Sequence, residues 1–223
     1  MSSEKLISKG AEAYIYLINF FDMPAIKKVR IKKDYREPSL DLYIRRHRTK
    51  REAKLLSAVK KLGVPAPVIY DIEISEYTIV MEYIEGKLLK NLLLKGNLGK
   101  NEKVALLKSV GKYVAIMHKS NIIHGDLTTS NIIVTKASKP VFIDFGLGEF
   151  TSSIEDKGIE LRVFYTALNS THYEEVDFLF DAFLDGYEAE YSDAHQVIKK
   201  FTEISQRGRY IADRRIKRKF MPS

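Results

Sequence analysis

The chain has 223 residues and no cysteine, which excludes disulfide-stabilised folds and metal sites built on thiolates. Apolar residues make up 45% of the sequence, enough for a globular core, and no apolar stretch approaches the length of a membrane span. The N-terminus lacks the apolar core of a signal peptide, so we expect a cytoplasmic protein without membrane contact.

The first part of the chain predicts short β-strands followed by one long helix and two more strands. The strands are rich in β-branched and aromatic residues and are separated by turn residues. The helix carries an apolar stripe and ends before Gly63. The predicted strands are Lys5–Ile7, Ala13–Ile18, Ala25–Ile31, Val68–Ile72 and Tyr77–Tyr83, and the helix is Leu40–Leu62.

The second part predicts helices around one small hairpin, with Asn101 as the N-cap of the longest early helix. The predicted helices are Lys87–Lys95, Glu102–His118, Glu155–Leu168, Glu174–Tyr191 and Asp193–Ser205, and the hairpin strands are Ile132–Val134 and Val141–Ile143. This order predicts an α+β class and a minimal two-lobed protein-kinase-like fold. We expect an N-lobe at 1–83, a C-lobe at 84–205 and a basic tail at 206–223.

Three strings near the middle of the chain predict a phosphoryl-transfer site. They are His124-Gly125-Asp126, Asn131 and Asp144-Phe145-Gly146, in the spacing of a kinase catalytic loop and metal-binding segment. We expect Asp144 and Asn131 to bind Mg²⁺ through oxygen atoms, because Mg²⁺ prefers hard oxygen ligands. Asp126 would orient or deprotonate the attacking hydroxyl or water. His124 is interpreted as a buried scaffold residue.

The N-terminal half should supply a lysine for the ATP phosphates and a glutamate that holds it. Lys27 and Lys28 are adjacent on one strand, so only one of them can point inward. Glu52, on the long helix, is the candidate partner.

The loop between the first two strands and the end of the strand at Tyr77–Tyr83 are candidates for the rest of an ATP site. The loop has one glycine, so a G-x-G-x-x-G pattern is absent, but its backbone amides can still cover phosphates. The hinge would bind adenine through backbone groups of Glu82 and Ile84, with Met81 behind it. The loop residues are Ser8, Lys9, Gly10, Ala11, Glu12 and Ala13.

The net charge of +8 is concentrated at the C-terminus. A basic cluster of this kind is typical of a contact with nucleic acid or an acidic protein, and it also occurs in solvated tails without a partner. The cluster consists of Arg207, Arg209, Arg214, Arg215, Lys217, Arg218 and Lys219.

Several strings make the chain similar to one family. They include Lys28-x-Arg30, Tyr35-Arg36-Glu37-Pro38, His124 to Asn131, Glu155-Asp156-Lys157 and Ser170-Thr171-His172. The chain resembles the small atypical kinase/ATPase subunits of the KEOPS tRNA-modification complex, the p53-related protein kinase family. The absence of cysteine with abundant Lys, Ile and Glu indicates an archaeal source.

The resemblance implies that Lys28, seven residues before Tyr35, is the phosphate-binding lysine. It implies an atypical serine/threonine kinase or ATPase that uses ATP and Mg²⁺ and supports threonylcarbamoyl-adenosine modification of tRNA. Its partners would be a sugar-kinase-fold threonylcarbamoyltransferase and other KEOPS subunits, with tRNA contacted by the basic tail. The alternatives are a ribosome-maturation-type atypical kinase and a nucleotide-binding scaffold with little turnover.

Overall fold

The computed structural model of the chain describes residues 4–95 and 98–206. Its N-terminal part is one antiparallel sheet with the strand order β1-β2-β3-β5-β4, joined to a single helix. The turn between β2 and β3 places Phe21 and Asp22 at positive φ, as a tight hairpin requires. The elements are β1 (Lys5–Lys9), β2 (Ala13–Phe20), β3 (Met23–Arg30), α1 (Pro38–Lys61), β4 (Ile69–Glu73) and β5 (Thr78–Glu82).

Helix α1 has defined signals at both ends. The Glu37 carboxylate accepts hydrogen bonds from the Ser39 and Leu40 backbone amides, and Pro38 follows at the start of the helix. Gly63, at φ +80°, ends the helix in the left-handed conformation. One face of α1 is buried and includes Glu52 among apolar neighbours, so a carboxylate is fixed inside the molecule.

The C-terminal part is mainly helical and contains several short strands. The buried aromatic side chains of Phe164, Phe183 and Tyr187 pack between its helices. Residues 194–206 are also helical. The other elements are β6 (Gly86–Leu88), α2 (Leu89–Lys95), α3 (Lys100–Lys119), β7 (Ile122–Ile123), β8 (Ile132–Thr135), β9 (Pro140–Phe142), β10 (Glu149–Phe150), α4 (Ile154–Thr171) and α5 (Val176–Glu190). A single 3₁₀ turn, Tyr173–Glu175, precedes α5.

The predicted α+β class and kinase-like arrangement are confirmed, with three local corrections. The N-cap of α3 is Gly99 rather than Asn101, because the Glu102 carboxylate accepts the Gly99 amide at 2.7 Å and fixes an earlier start. Lys87 and Leu88, predicted as the start of a helix, belong to β6 instead, because Gly86–Leu88 pair with β8. The short strands β7 and β10 pair with each other and were not predicted.

The two parts share a continuous core. Leu55 and Val59 of α1 belong to the same buried cluster as Ile122 and Phe145. The Phe142 amide also donates to the Pro65 carbonyl at 2.9 Å. Among the described residues, no helix has both the length and the apolar character needed to cross a membrane. The sheet and α1 are therefore held against the segment that carries the central motif.

Candidate active site

His124 connects the catalytic loop to the Asp144 segment. Its side chain is fully buried, and its Nε2 lies 2.9 Å from the Ile143 carbonyl oxygen. Its ring centroid lies 4.5 Å from that of Phe145, which is also buried. A histidine enclosed in this way is a structural element that sets the separation of the two loops.

Gly125 is required by the path of the backbone. Its φ is +80°, and a Cβ at this position would lie 2.1 Å from the Leu147 carbonyl oxygen. Its amide donates to Oε1 of the buried Glu160 at 2.6 Å. The loop therefore passes close to the segment after Asp144 and is anchored from below by helix α4.

The Glu160 anchor continues into a buried chain of polar groups. Glu160 Oε2 lies 2.9 Å from Nε2 of His118, whose Nδ1 lies 2.8 Å from the Tyr187 hydroxyl. Burial raises the pKa of Tyr187 well above its usual range, so this hydroxyl stays protonated. The three side chains join α3, α4 and α5 directly beneath the catalytic loop, which rigidifies the loop.

Asn131 and Asp126 are held together by hydrogen bonds. The Asn131 Nδ2 donates to both the carbonyl oxygen and Oδ2 of Asp126, each at 2.9 Å. The Asn131 carbonyl accepts the Ile143 amide at 3.0 Å, which brings Asn131 next to the Asp144 segment. Neither bond involves the Asn131 amide oxygen, which has no hydrogen-bond partner within the described ranges.

Asp144 is half-exposed and adopts a left-handed backbone conformation, with φ at 63°. Its Oδ1 accepts the Gly146 amide at 3.2 Å and lies 2.6 Å from Nζ of Lys28. Desolvation opposes ionisation, but the Lys28 ammonium and the hydrogen bonds outweigh it and lower the pKa of Asp144. The carboxylate is therefore ionised at neutral pH.

Lys28 and Glu52 form the N-terminal half of the site. The Lys28 Nζ lies 2.7 Å from Glu52 Oε1, and both side chains are buried. The neighbouring Lys27 points to the other face of the sheet, where it pairs with Glu4. Of the two adjacent lysines, Lys28 is therefore the one that lies beside Glu52 and Asp144. We call the space next to these three side chains the cleft.

Arg30 is a third member of this cluster that the sequence analysis did not assign. It is buried, and its guanidinium pairs with Glu52 Oε2, so Glu52 holds two cations at once. The sequence does indicate this position, because residues two apart on a strand lie on the same face of the sheet. If Lys28 points towards Glu52, Arg30 must point the same way. Glu160 was missed as well, because its partners lie on distant segments.

The loop Ser8–Ala13 is a tight connection from the end of β1 to the start of β2. The Gly10 amide donates to the Ala13 carbonyl at 3.0 Å, which closes the turn. Glu12 pairs with Arg36 at 2.9 Å and with Arg48 at 3.1 Å. Desolvation opposes its ionisation, but the bond to Arg36 and the charge of Arg48 lower the pKa of Glu12.

The string Tyr35-Arg36-Glu37-Pro38 joins this loop to the start of α1. Arg36 reaches back to Glu12, and Glu37 caps the helix. The buried Asp41 accepts the Lys33 amide at 3.2 Å and pairs with Arg45 at 2.7 Å. The string thus couples the loop Ser8–Ala13 to the helix that carries Glu52.

The hinge segment follows β5. Met81 is buried and pairs in the sheet with Ile26 and Ile69. The Glu82 amide donates to the Val68 carbonyl at 2.8 Å, so an adenine contact at Glu82 would fall on its carbonyl oxygen. Ile84 lies in the irregular stretch between β5 and β6, where its backbone is not paired in a strand.

The donor set at the cleft fits Mg²⁺ bound together with a nucleotide. Asp144 offers a half-exposed, ionised carboxylate, and Asn131 offers an amide oxygen that accepts no hydrogen bond from the residues that the structure describes. Mg²⁺ commonly takes one or two carboxylates and completes its shell with phosphate oxygens and water. In residues 4–95 and 98–206, no cluster of three or more His, Asp or Glu side chains could hold a metal by itself.

The basic tail cluster, Arg207 to Lys219, lies outside the described residues.

Comparison with known proteins identifies the family. The family model for the RIO domain matches residues 16–147. The KEOPS complex subunit Bud32 of Pyrococcus abyssi is 44% identical over 214 residues, which cover 92% of this chain and 96% of that protein. A protein of Methanococcus vannielii named probable bifunctional tRNA threonylcarbamoyladenosine biosynthesis protein is 43% identical over 206 residues, 92% of this chain but 36% of its own length.

A protein of the same name from Methanocaldococcus jannaschii is 40% identical over 208 residues, 93% of this chain and 37% of that protein. The chain therefore spans a little over a third of these two longer relatives and nearly all of the first. With the RIO match covering more than half of its length, the chain belongs to the RIO domain family and, within it, to the group of the KEOPS subunit Bud32.

Proposed function

We propose that the cleft binds ATP with Mg²⁺ and transfers the γ-phosphoryl group to a hydroxyl or to water. The observation that carries this proposal is the position of Lys28, whose ammonium lies within 2.7 Å of Glu52 and 2.6 Å of Asp144. The glutamate comes from α1 and the aspartate from the segment after β9. Protein-kinase sites combine a strand lysine paired with a helix glutamate and an aspartate beside the phosphates, and Lys28, Glu52 and Asp144 occupy corresponding places.

Each side chain has a distinct role in this proposal. Lys28 neutralises the α- and β-phosphates, and Glu52 holds its ammonium in place. Asp144 and Asn131 would hold Mg²⁺, and the ion would supply positive charge beside the phosphates. Asp126, fixed by its hydrogen bonds to Asn131, orients the attacking oxygen and accepts its proton.

The remaining contacts position the nucleotide. Backbone amides of the loop Ser8–Ala13 cover the phosphates, and the ion pairs of Glu12 hold this loop to α1. The Glu82 carbonyl and the Ile84 amide bind adenine, with Met81 at the rear of the pocket. Positioning is the main requirement, because phosphoryl transfer involves little covalent chemistry by the protein.

The acceptor is the chain itself or water rather than a general protein substrate. Only residues 147–153 lie between Gly146 and the start of α4 at Ile154. Two of these residues are paired in β10 with β7 under the catalytic loop. This leaves little chain to form a docking platform for a substrate peptide, so we expect autophosphorylation or ATP hydrolysis.

We further propose that this activity supports threonylcarbamoyl-adenosine modification of tRNA in the cytoplasm. The names of the Pyrococcus and Methanococcus relatives support this role. The partners would be a sugar-kinase-fold threonylcarbamoyltransferase and the other KEOPS subunits. The basic tail, Arg207 to Lys219, would contribute to tRNA binding.

A single-turnover assay with γ-labelled ATP tests the proposal. The full chain is mixed with substoichiometric ATP and Mg²⁺, with and without the threonylcarbamoyltransferase partner. We expect release or transfer of the label by the wild-type chain and not by Asp126→Asn. ATP bound without any loss of the label would favour the alternative of a scaffold with little turnover.

A ribosome-maturation-type atypical kinase is the second candidate, because the match to the RIO domain model does not by itself distinguish the two roles. Co-purification from cells separates the two: tRNA-modification subunits would support the first role, and pre-ribosomal particles would support the second.

A further inference from the structure

A basic stripe runs along the exposed face of helix α1. It consists of Arg46, Lys50, Lys54 and Lys61, all of which are exposed. Steps of three or four residues keep side chains on one face of a helix, and Lys50, Lys54 and Lys61 lie almost directly above one another. Because each residue rises 1.5 Å, the basic stripe extends for about 22 Å along the helix.

The stripe is not neutralised by its own helix. Asp41 and Glu52 are the only acids of α1, and both are buried. Asp41 pairs with Arg45, and Glu52 pairs with Lys28 and Arg30. Both carboxylates of α1 are therefore paired with cations in the buried part of the molecule, and the charged side chains on the exposed face of the helix are all positive.

A groove lies beside the stripe. Its volume is about 660 Å³, and Lys50, Lys54 and Lys61 line it together with Ile72 and Phe150. The Lys54 ammonium lies 5.0 Å from the centre of the Phe150 ring, a cation–π contact that orients it. Within the part of the chain that the structure describes, no carboxylate lines this groove.

An aromatic pair stands at the N-terminal end of the stripe. Tyr43 is 65% exposed, and its ring is stacked on His47 with the centroids 5.7 Å apart. Tyr43 lies seven residues before Lys50 and therefore on the same face of the helix. An exposed aromatic ring beside a row of cations can stack on an unpaired base while the cations bind the neighbouring phosphates. An acidic polypeptide would pair with the cations but would have no base to stack on the ring.

We propose that the basic stripe of α1 and its groove bind the phosphate backbone of a folded RNA, separately from the ATP cleft. The lysines and Arg46 would face successive phosphates, and Tyr43 would stack on a base at one end. Contacts of this kind position an RNA without reading its sequence. The choice of RNA as ligand rests on the tRNA role proposed above, whereas the surface itself does not depend on phosphoryl transfer.

The test compares two triple variants of the full chain. The first, Lys50→Gln/Lys54→Gln/Lys61→Gln, removes three charges from the groove. The matched control, Lys95→Gln/Lys112→Gln/Lys119→Gln, removes three charges from exposed lysines of α2 and α3. Binding of a labelled tRNA transcript is measured by fluorescence anisotropy between about 50 and 200 mM salt, because counterion release makes the slope report the number of phosphate contacts.

We expect the groove variant to lose about tenfold or more in tRNA affinity, with a salt-dependence slope smaller by about two to three. The control variant should keep the wild-type slope. ATP turnover measured without tRNA should be the same in both variants as in the wild type. If the wild-type chain showed no ATP turnover at all, the phosphoryl-transfer proposal would be refuted, but the proposal for the groove would not be affected.

Three results would overturn the proposal. The first is a groove variant with wild-type tRNA affinity and slope, and the second is an equal loss in both triple variants, which would indicate bulk charge alone. The third is unchanged tRNA binding with lost binding of polyglutamate, which would assign the groove to an acidic polypeptide.

Discussion

Lys28 and Asp144 meet across the cleft, with the Lys28 Nζ 2.6 Å from Oδ1 of Asp144 although 116 residues separate them in the sequence. The same ammonium lies 2.7 Å from Glu52. One charged group therefore joins the sheet, helix α1 and the segment after β9. In the proposed complex with ATP, the phosphates would compete with Asp144 for the Lys28 ammonium, and the Asp144 carboxylate would become available to a metal ion.

Replacing each of the two adjacent lysines tests the assignment of the phosphate-binding residue. Lys28→Met should lower ATP turnover by at least about 100-fold, because a preorganised charge on the phosphates is lost. Lys27→Met should leave turnover within about twofold of wild type, since Lys27 pairs with Glu4 on the other face of the sheet. Equal turnover in the two variants would contradict the assignment.

The pH dependence of stability tests the Lys28–Asp144 pair. The pKa of Asp144 is lowered below its ordinary value of 3.8, so the pair stabilises the folded chain above that value and is lost as pH falls through the folded-state pKa. Urea titrations of wild type and Asp144→Asn should therefore differ most near neutral pH, begin to converge as pH falls below about 4, and meet only below the folded-state pKa of Asp144. In the Lys28→Met variant, the effect of Asp144→Asn on the free energy of unfolding should depend much less on pH.

Arg30 should contribute strongly to stability, because it shares the buried Glu52 carboxylate with Lys28. Arg30→Met leaves Glu52 with one cation instead of two in a buried setting, and breaking a buried pair costs about 3 kcal/mol or more. The surface control Lys27→Met should cost less than about 1 kcal/mol. Chemical denaturation measures the free energy of unfolding of both variants. Arg30→Lys should cost less than Arg30→Met, because lysine keeps the positive charge but lacks the planar guanidinium that pairs with a carboxylate. A cost for Arg30→Met equal to that of the control would contradict this role.

Two glycines with the same backbone conformation provide a matched pair. Gly125 and Gly63 both have φ at +80°, but a Cβ would meet Leu147 at Gly125 and nothing within 4 Å at Gly63. Gly63→Ala should cost about 1–2 kcal/mol of unfolding free energy, from backbone strain alone. Gly125→Ala should cost about 1–3 kcal/mol more from the steric conflict, and it should also reduce ATP turnover. If the two variants were equally stable and equally active, the close approach to Leu147 would have no consequence.

Much of the fold could be predicted from the sequence, and so could the proximity of the three central candidate residues. The positions of Asp126, Asn131 and Asp144 follow from spacing, and the structure joins their segments through the bonds from Asn131 to Asp126 and from Ile143 to Asn131. The long elements were also predictable, because their apolar patterns extend over several turns or strand repeats.

The parts that were not predicted depend on contacts between distant segments. The pairing of Arg30 with Glu52 and the bond from Glu160 to Gly125 form only after α1 and α4 have packed. The strands β7 and β10 have two residues each, too few to show a periodic pattern. The role of Gly125 is fixed by the Leu147 carbonyl, which its neighbours in sequence do not reveal.

The most direct measurement is a crystal structure of the full chain with Mg²⁺ and a non-hydrolysable ATP analogue. The account predicts a metal ion about 2.1 Å from an Asp144 carboxylate oxygen and from the Asn131 amide oxygen, with the Lys28 ammonium on the phosphates. A nucleotide bound elsewhere, or these two oxygens turned apart with no metal between them, would contradict the account.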